Sequence, residues 1–226
     1  MRKYAAEAIG TFAMVFAGTG AMVIDAVTGG SVTHVGVGLT FGFIVMALIY
    51  ALGDVSGAHL NPAVTLGFVL ARRFPGRCML PYIASQLAGA FLASLTLLVL
   101  FGNHASLGAT LPAGATWQSF GLEVVLTAIL MFVILCVSSG SKEVGTMAGI
   151  AVGGIIALEA LFAGPISGAS MNPARSLAPA LVSGNLRALW VYLVAPLLGS
   201  AVAVPLWQVT SAPPTIKANV LEGSGS

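Results

Sequence analysis

Apolar residues fall along this chain in long unbroken runs, at roughly 5–27, 34–53, 79–101, 119–138, 146–163 and 188–208. Each run has about 20 residues, the length a helix needs to cross the ~30 Å hydrocarbon core of a bilayer. The runs are continuous rather than alternating, which is the pattern of spanning helices and not of a β-barrel. Six spanning helices are predicted. Two shorter, mostly apolar stretches, 62–72 and 173–182, hold about ten residues each. Ten helical residues rise about 15 Å, half the membrane. These predict two half-helices that dip in from opposite faces and meet near the middle.

Composition agrees with a lipid setting. Of 226 residues, 58% are hydrophobic and 7% charged, whereas a soluble domain has about a quarter of its residues charged. Met1-Arg2-Lys3 before an apolar run has the look of a secretory signal, but the run is too long, contains Glu7 and offers no cleavage site. The terminal GSGS reads as an appended remnant. Cys78, near a loop, and Cys136, inside a helix, are too few for a disulfide framework. His34 and His104 are expected in loops, and three scattered histidines make no metal cluster. A net charge of +2 without a basic stripe gives no sign of nucleic acid. If the spans alternate, Arg2, Lys3, Arg72, Arg73, Arg77, Lys142 and Lys217 share one side, and Arg175 and Arg187 lie towards the other. By the positive-inside rule both termini are cytoplasmic.

The chain also contains itself twice. AEAIGTFAMVF (6–16) matches LEVVLTAILMF (122–132), pairing Glu7 with Glu123 and Thr11 with Thr127. VSGAHLNPAVTLG (55–67) matches ISGASMNPARSLA (166–178), in the same order and at nearly the same offset. One duplicated unit is expected, with boundaries at 1–110 and 111–217 and a tail at 218–226. Each unit holds three spans, an odd number, so the second copy lies upside down relative to the first.

The Asn-Pro-Ala strings, Asn61-Pro62-Ala63 and Asn172-Pro173-Ala174, read as helix starts. Asn is a favoured N-cap, and Pro suits the first helical position, where its missing N–H costs nothing. Capping uses the side-chain carbonyl, which leaves each amide NH₂ to donate to whatever passes. The preceding segments are irregular backbone, tolerated at membrane depth only when buried in protein or lining a watery cavity. Gly57, Ala58, His59 and Leu60, with Gly168, Ser170 and Met171, are therefore expected to line a pore. Two helix N-termini meeting there place positive potential at the centre, which repels cations and admits neutral dipoles.

Both NPA strings, the paired ExxxT openings of the first and fourth spans, the six spans and the short loops resemble the major intrinsic protein family, the aquaporins and aquaglyceroporins. The stretch FAGPISGASMNPARSLAPA (162–180) is similar to nodulin-like members from plants and their bacterial relatives. The resemblance implies an all-α channel, passive to water and small uncharged solutes, in a cell membrane and assembled as a homotetramer with one pore per subunit. It places Arg175 in the narrowest constriction, with Phe41, Ala160 and Ala169 as the other ring positions by their spacing from each Asn. An arginine at membrane depth is costly and marks a functional site; the alternative is a snorkelling side chain. Val64 stands at the mirror position because one such ring suffices. Water-selective members resemble one another in having His where Ala160 stands, and glycerol-conducting members tend to have Trp, Gly and Phe. Alanine at two positions implies a wider ring, suited to glycerol, urea or metalloid hydroxides as well as water, with a water-selective pore as the alternative.

The resemblance also implies that Glu7 and Glu123 accept backbone N–H groups of the re-entrant loops, against a reading as stray surface acids. Glu159 is expected to hydrogen-bond between helices or to face the pore. Asp54 is expected at the inner mouth, and His59 either lines the inner vestibule or is packed and satisfied. Gly38 with Gly42, and Gly149 with Gly153, are small-xxx-small pairs that let helices approach closely. No nucleophile–base pair or cofactor motif is present, so neither an enzyme nor a cofactor is expected. A secondary active transporter is the rival class, since inverted repeats and broken helices serve it too. It needs ion-binding groups at the midplane, where Glu159 is the one candidate.

Overall fold

The computed structural model describes residues 1–139 and 145–211, so Lys142, Lys217 and the tail 218–226 lie outside the described residues. Among the described residues eight helices are bounded in full: α1 (Arg2–Val27), α2 (Thr33–Ser56), α3 (Pro62–Leu70), α4 (Met79–Phe101), α5 (Thr116–Ser139), α6 (Ala148–Ser167), α7 (Pro173–Ser183) and α8 (Leu189–Thr210). Short 3₁₀ turns occupy Gly76–Cys78 and Ala105–Gly108, and the described residues contain no strand. Among the described residues six helices are long and apolar enough to cross a membrane, while α3 and α7 are half that length.

The six spans match the apolar runs to within a few residues. Both α2 and α6 outlast their runs, to Ser56 and Ser167. The apolar runs end at 53 and 163, yet the helices continue past Asp54 and Pro165 and end on left-handed Gly57 and Gly168 (φ 84° and 87°), whose N–H groups close on the Gly53 and Gly164 carbonyls. Glycine takes this conformation without a steric penalty. His34 departs from expectation. It sits in the first turn of α2, and its Nε2 lies 2.7 Å from the Leu161 carbonyl of α6.

The packing turns a soluble protein inside out. Glu7, Thr11, Gln86, Glu123, Thr127 and Ser200 are buried, whereas Leu80, Val99, Val125, Phe162 and Leu206 are exposed on the outer faces. Lipid offers backbone groups no partners, so polar contacts are made inside. α1 packs on α4 and α5 on α8, while α2 and α6 meet each other. At that last seam a Cβ on Gly42 would come within 2.5 Å of the Gly153 carbonyl, so small residues set the approach. Each half-helix packs on a span of the other half, α3 on α8 and α7 on α4.

Candidate functional site

The half-helices begin as the sequence predicts. Asn61 Oδ1 accepts from the Ala63 N–H at 2.8 Å, and Asn172 Oδ1 from those of Ala174 and Arg175 at 3.0 and 3.3 Å. Each cap contributes on the order of 1 kcal/mol. The amide groups are less free than the sequence reading has them. Asn61 Nδ2 donates to the Met171 carbonyl at 2.8 Å, and Asn172 Nδ2 to the Leu60 carbonyl at 2.9 Å. One hydrogen of each NH₂ thus ties the two loops together, end to end. An amide nitrogen carries two donors, so Asn61 keeps one for a passing oxygen, while the second of Asn172 lies 3.9 Å from the Met14 sulfur, a weak acceptor that a passing oxygen can replace.

Two buried carboxylates hold the loops. Glu7 accepts from the backbone N–H groups of His59 and Leu60 at 3.0 and 2.8 Å, from Ser56 Oγ at 2.7 Å and from Gln86 Nε2 at 2.8 Å. Glu123 accepts from the N–H groups of Ser170 and Met171, both at 2.9 Å, and from Ser167 Oγ at 2.8 Å. In a planar trans peptide the carbonyl points opposite to the N–H. With these N–H groups drawn to the carboxylates, the carbonyls of Ala58 and His59, and of Ala169 and Ser170, face away from them.

The loop geometry itself is strained. Ala58, Leu60, Ala169 and Met171 all have positive φ, at 47°, 51°, 41° and 53°. That region costs a non-glycine residue roughly 1–2 kcal/mol, and such strain persists only where surrounding bonds over-determine it. Here they do. Tyr82 Oη donates to the Ser56 carbonyl at 2.9 Å and Tyr192 Oη to the Ser167 carbonyl at 2.6 Å, clamping each loop where its helix ends.

These elements enclose a cavity of about 130 Å³. Phe41, Ala160, Ala169 and Arg175 line it together with Asn61 and Asn172, and so do Gly57, Ala58, His59, Leu60, Ser170 and Met171. Gly168 and Asp54 are not on its wall, and Asp54 is exposed. His59 makes two kinds of contact. It lines the cavity, and it is also packed, stacking on Phe68 at 4.7 Å with Nδ1 3.1 Å from Thr65 Oγ1.

Arg175 does not snorkel. It is buried in the first turn of α7, where Nη1 donates to the Gly108 carbonyl at 2.7 Å and Cζ lies 4.9 Å from the centre of the Phe41 ring. The α4–α5 loop supplies that carbonyl. It reaches it through three successive left-handed residues, Ala105, Ser106 and Leu107, and Thr110 Oγ1 pins it to Ser176 at 2.8 Å. Gly18 of α1 leaves room for the Phe41 ring, since a Cβ there would fall 2.1 Å from it. The guanidinium and the Phe41 ring thus meet on the cavity wall, which Ala160 and Ala169 also line.

The family model described as "Major intrinsic protein" matches residues 1–207. The chain belongs to the major intrinsic protein family. Among similar proteins, rice (Oryza sativa subsp. japonica) aquaporin NIP1-4 is 54% identical over 197 residues, covering 87% of this chain and 72% of the relative. Nodulin-26 of Glycine max is 43% identical over 201 residues, covering 88% and 74%. Among solved structures, the aquaglyceroporin from Plasmodium falciparum superposes with a TM-score of 0.84 at 28% identity, covering 92% of this chain and 96% of that one.

In this major intrinsic protein Glu159 departs from both of its expected roles. It is fully buried beside Ala160, yet neither carboxyl oxygen has a hydrogen-bond partner among the described residues, and it is absent from the cavity wall. The expected interhelical bond is not made. Sequence reading also passed over Tyr82, Tyr192, Gln86 and Gly108. The tyrosines had a signal, since they stand 21 and 20 residues after Asn61 and Asn172 and so extend the repeat.

Proposed function

We propose that this membrane protein is a passive channel for water and small uncharged solutes, glycerol first among them, with urea and metalloid hydroxides in the same chemical class. The observation that carries this reading is the shared cavity. Phe41, Arg175 and two alanines, Ala160 and Ala169, border it where the resemblance implies a selectivity ring. Two alanines leave that ring wide and partly apolar, and the guanidinium supplies directed donors to a hydroxyl oxygen. Loop carbonyls and the spare hydrogens of Asn61 and Asn172 continue the polar track. The charge of Arg175 and the two helix N-termini oppose cations, a migrating proton included. The fold neighbour titled an aquaglyceroporin supports a pore that admits more than water.

On this reading the halves 1–110 and 111–217 are inverted repeats, supported by the matching bonds of Glu7 with Glu123 and of Tyr82 with Tyr192. Both termini face the cytoplasm. Arg73 bonds to Ser139 and Lys3 lies beside Cys78, which gathers basic residues at one end of the bundle. The chain catalyses no reaction, and its assembly is the homotetramer that the family resemblance implies.

Reconstituted protein tests the class directly. Solute flux is expected to rise linearly with the gradient and to ignore imposed ion gradients. Saturating flux that follows a sodium or proton gradient would instead make the chain a secondary transporter.

A further inference from the structure

Arg175 has a second neighbour that the ring of four positions does not include. Its Nη2 points at the thioether of Met22 on α1, with a nitrogen–sulfur distance of 3.3 Å. The guanidinium is therefore bordered by three unlike groups: the Gly108 carbonyl on Nη1, the Phe41 face by Cζ, and a sulfur on Nη2. A thioether is a weak acceptor, so Nη2 stays available to a permeating oxygen. Met22 is half-buried and lies five residues before the α1 end at Val27.

We infer that Met22 is an oxidation site that governs the constriction: conversion of its thioether to the sulfoxide captures Arg175 and restricts solute passage. The oxidant is hydrogen peroxide. One oxygen atom passes from peroxide to sulfur, the O–O bond breaks as the S–O bond forms, and water leaves. Sulfur is oxidised and the peroxide oxygen reduced. The change turns a flexible apolar side chain into a polar one. Its new oxygen is a strong acceptor, placed on a sulfur already in contact with Nη2. A charge-assisted bond there is roughly twice as strong as a neutral one, so a donor otherwise offered to solute is held by the wall. The added atom also takes up room beside the guanidinium. Peroxide is small, uncharged and hydroxylated, so the chemistry that admits a polyol also brings it to the sulfur.

This rests on the reading of Arg175 as the constriction, and the test separates the two. Proteoliposomes of the full chain are treated with hydrogen peroxide. Oxidation at Met22 is read by peptide mass spectrometry, and glycerol and water flux by light scattering, each variant normalised to its own untreated flux. The expected result is a Met22 sulfoxide, loss of most of the glycerol flux with a smaller loss for water, and recovery after methionine sulfoxide reductase. Met22→Leu, which has no sulfur, should keep its untreated flux. Met14 makes that control necessary, since its sulfur lies 3.9 Å from Asn172 Nδ2. An equal loss in Met22→Leu, or a Met22 sulfoxide with unchanged flux, would overturn the inference and leave the Arg175 reading standing. If Met22→Leu does not fold, reductase recovery in the unsubstituted protein decides, and oxidised Met22 that is repaired without any return of flux also overturns it. Failure of the Arg175 reading would show separately, as untreated glycerol flux indifferent to Ala160→His.

Discussion

Glu7 and Glu123 occupy equivalent places and hold equivalent loops, each taking two successive backbone N–H groups at 2.8–3.0 Å and one serine hydroxyl. The difference lies in the fourth donor. Gln86 reaches Glu7 and also Thr65 Oγ1 at 3.0 Å, whereas Ser176, the counterpart of Thr65, bonds to Thr110 and Ser170 instead. The repeat keeps its carboxylates and exchanges their supports.

Glu123→Gln sets an amide NH₂ against a backbone N–H, whichever way it is turned. An abandoned buried donor costs about 1–3 kcal/mol. The expected result is a lower unfolding midpoint in detergent and a lower folded yield, with water flux falling as the loop relaxes. Glu7→Gln should cost less, because Gln86 and Ser56 can rearrange around it. Thermal unfolding followed by size-exclusion chromatography checks both, and wild-type stability with wild-type flux in Glu123→Gln would refute the cradle.

In the proposed ring, Ala160→His narrows the opening and adds a polar wall. Glycerol flux is expected to fall by roughly tenfold, equivalent to about 1.4 kcal/mol, with water flux falling less. Paired stopped-flow swelling in water and in glycerol measures the ratio. An unchanged ratio would place the narrowest point elsewhere.

Arg175→Val makes the second half copy Val64 of the first. It removes the charge and leaves the Gly108 carbonyl without its 2.7 Å donor. Proton leak, followed with a trapped pH-sensitive dye, is expected to rise about tenfold, or about 1.4 kcal/mol of barrier. No rise would assign ion exclusion to the helix N-termini alone.

Gly108→Ala tests the loop that carries that carbonyl. Gly108 has φ 74°, and a Cβ there would sit 2.7 Å from Thr19 Cβ. Left-handed backbone costs an alanine roughly 1–2 kcal/mol, and the clash with α1 adds to it. Displacing the carbonyl should release Arg175, so glycerol selectivity is expected to drop together with stability. Selectivity kept at reduced stability would mean that Phe41 and Met22 position the guanidinium without the carbonyl.

Much of this architecture was legible because lipid simplifies the pattern. Six runs of the right length are hard to misread, and the NPA strings carry their own capping chemistry. The ends were harder. The fifth apolar run ends at 163, yet α6 runs on through Pro165 to Ser167, where Glu123 and Tyr192 receive it. Glu7, Glu123 and Arg175 stood out as charges in an apolar chain. Gly108 had no such mark, because its contribution is a backbone carbonyl placed by an irregular loop, and any residue type has one. Met22 was one methionine among eight. Glu159 stood out as clearly as the other acids, yet nothing in the structure explains its unpartnered burial.

The central claim is that neutral solutes pass Arg175 through the opening that Ala160 and Ala169 leave. A stopped-flow panel on purified, reconstituted protein tests it most directly, with water, urea, glycerol and a larger polyol as the series. The account predicts rapid water, urea and glycerol entry with the larger polyol excluded. Water entry with no glycerol or urea uptake above empty liposomes would contradict it.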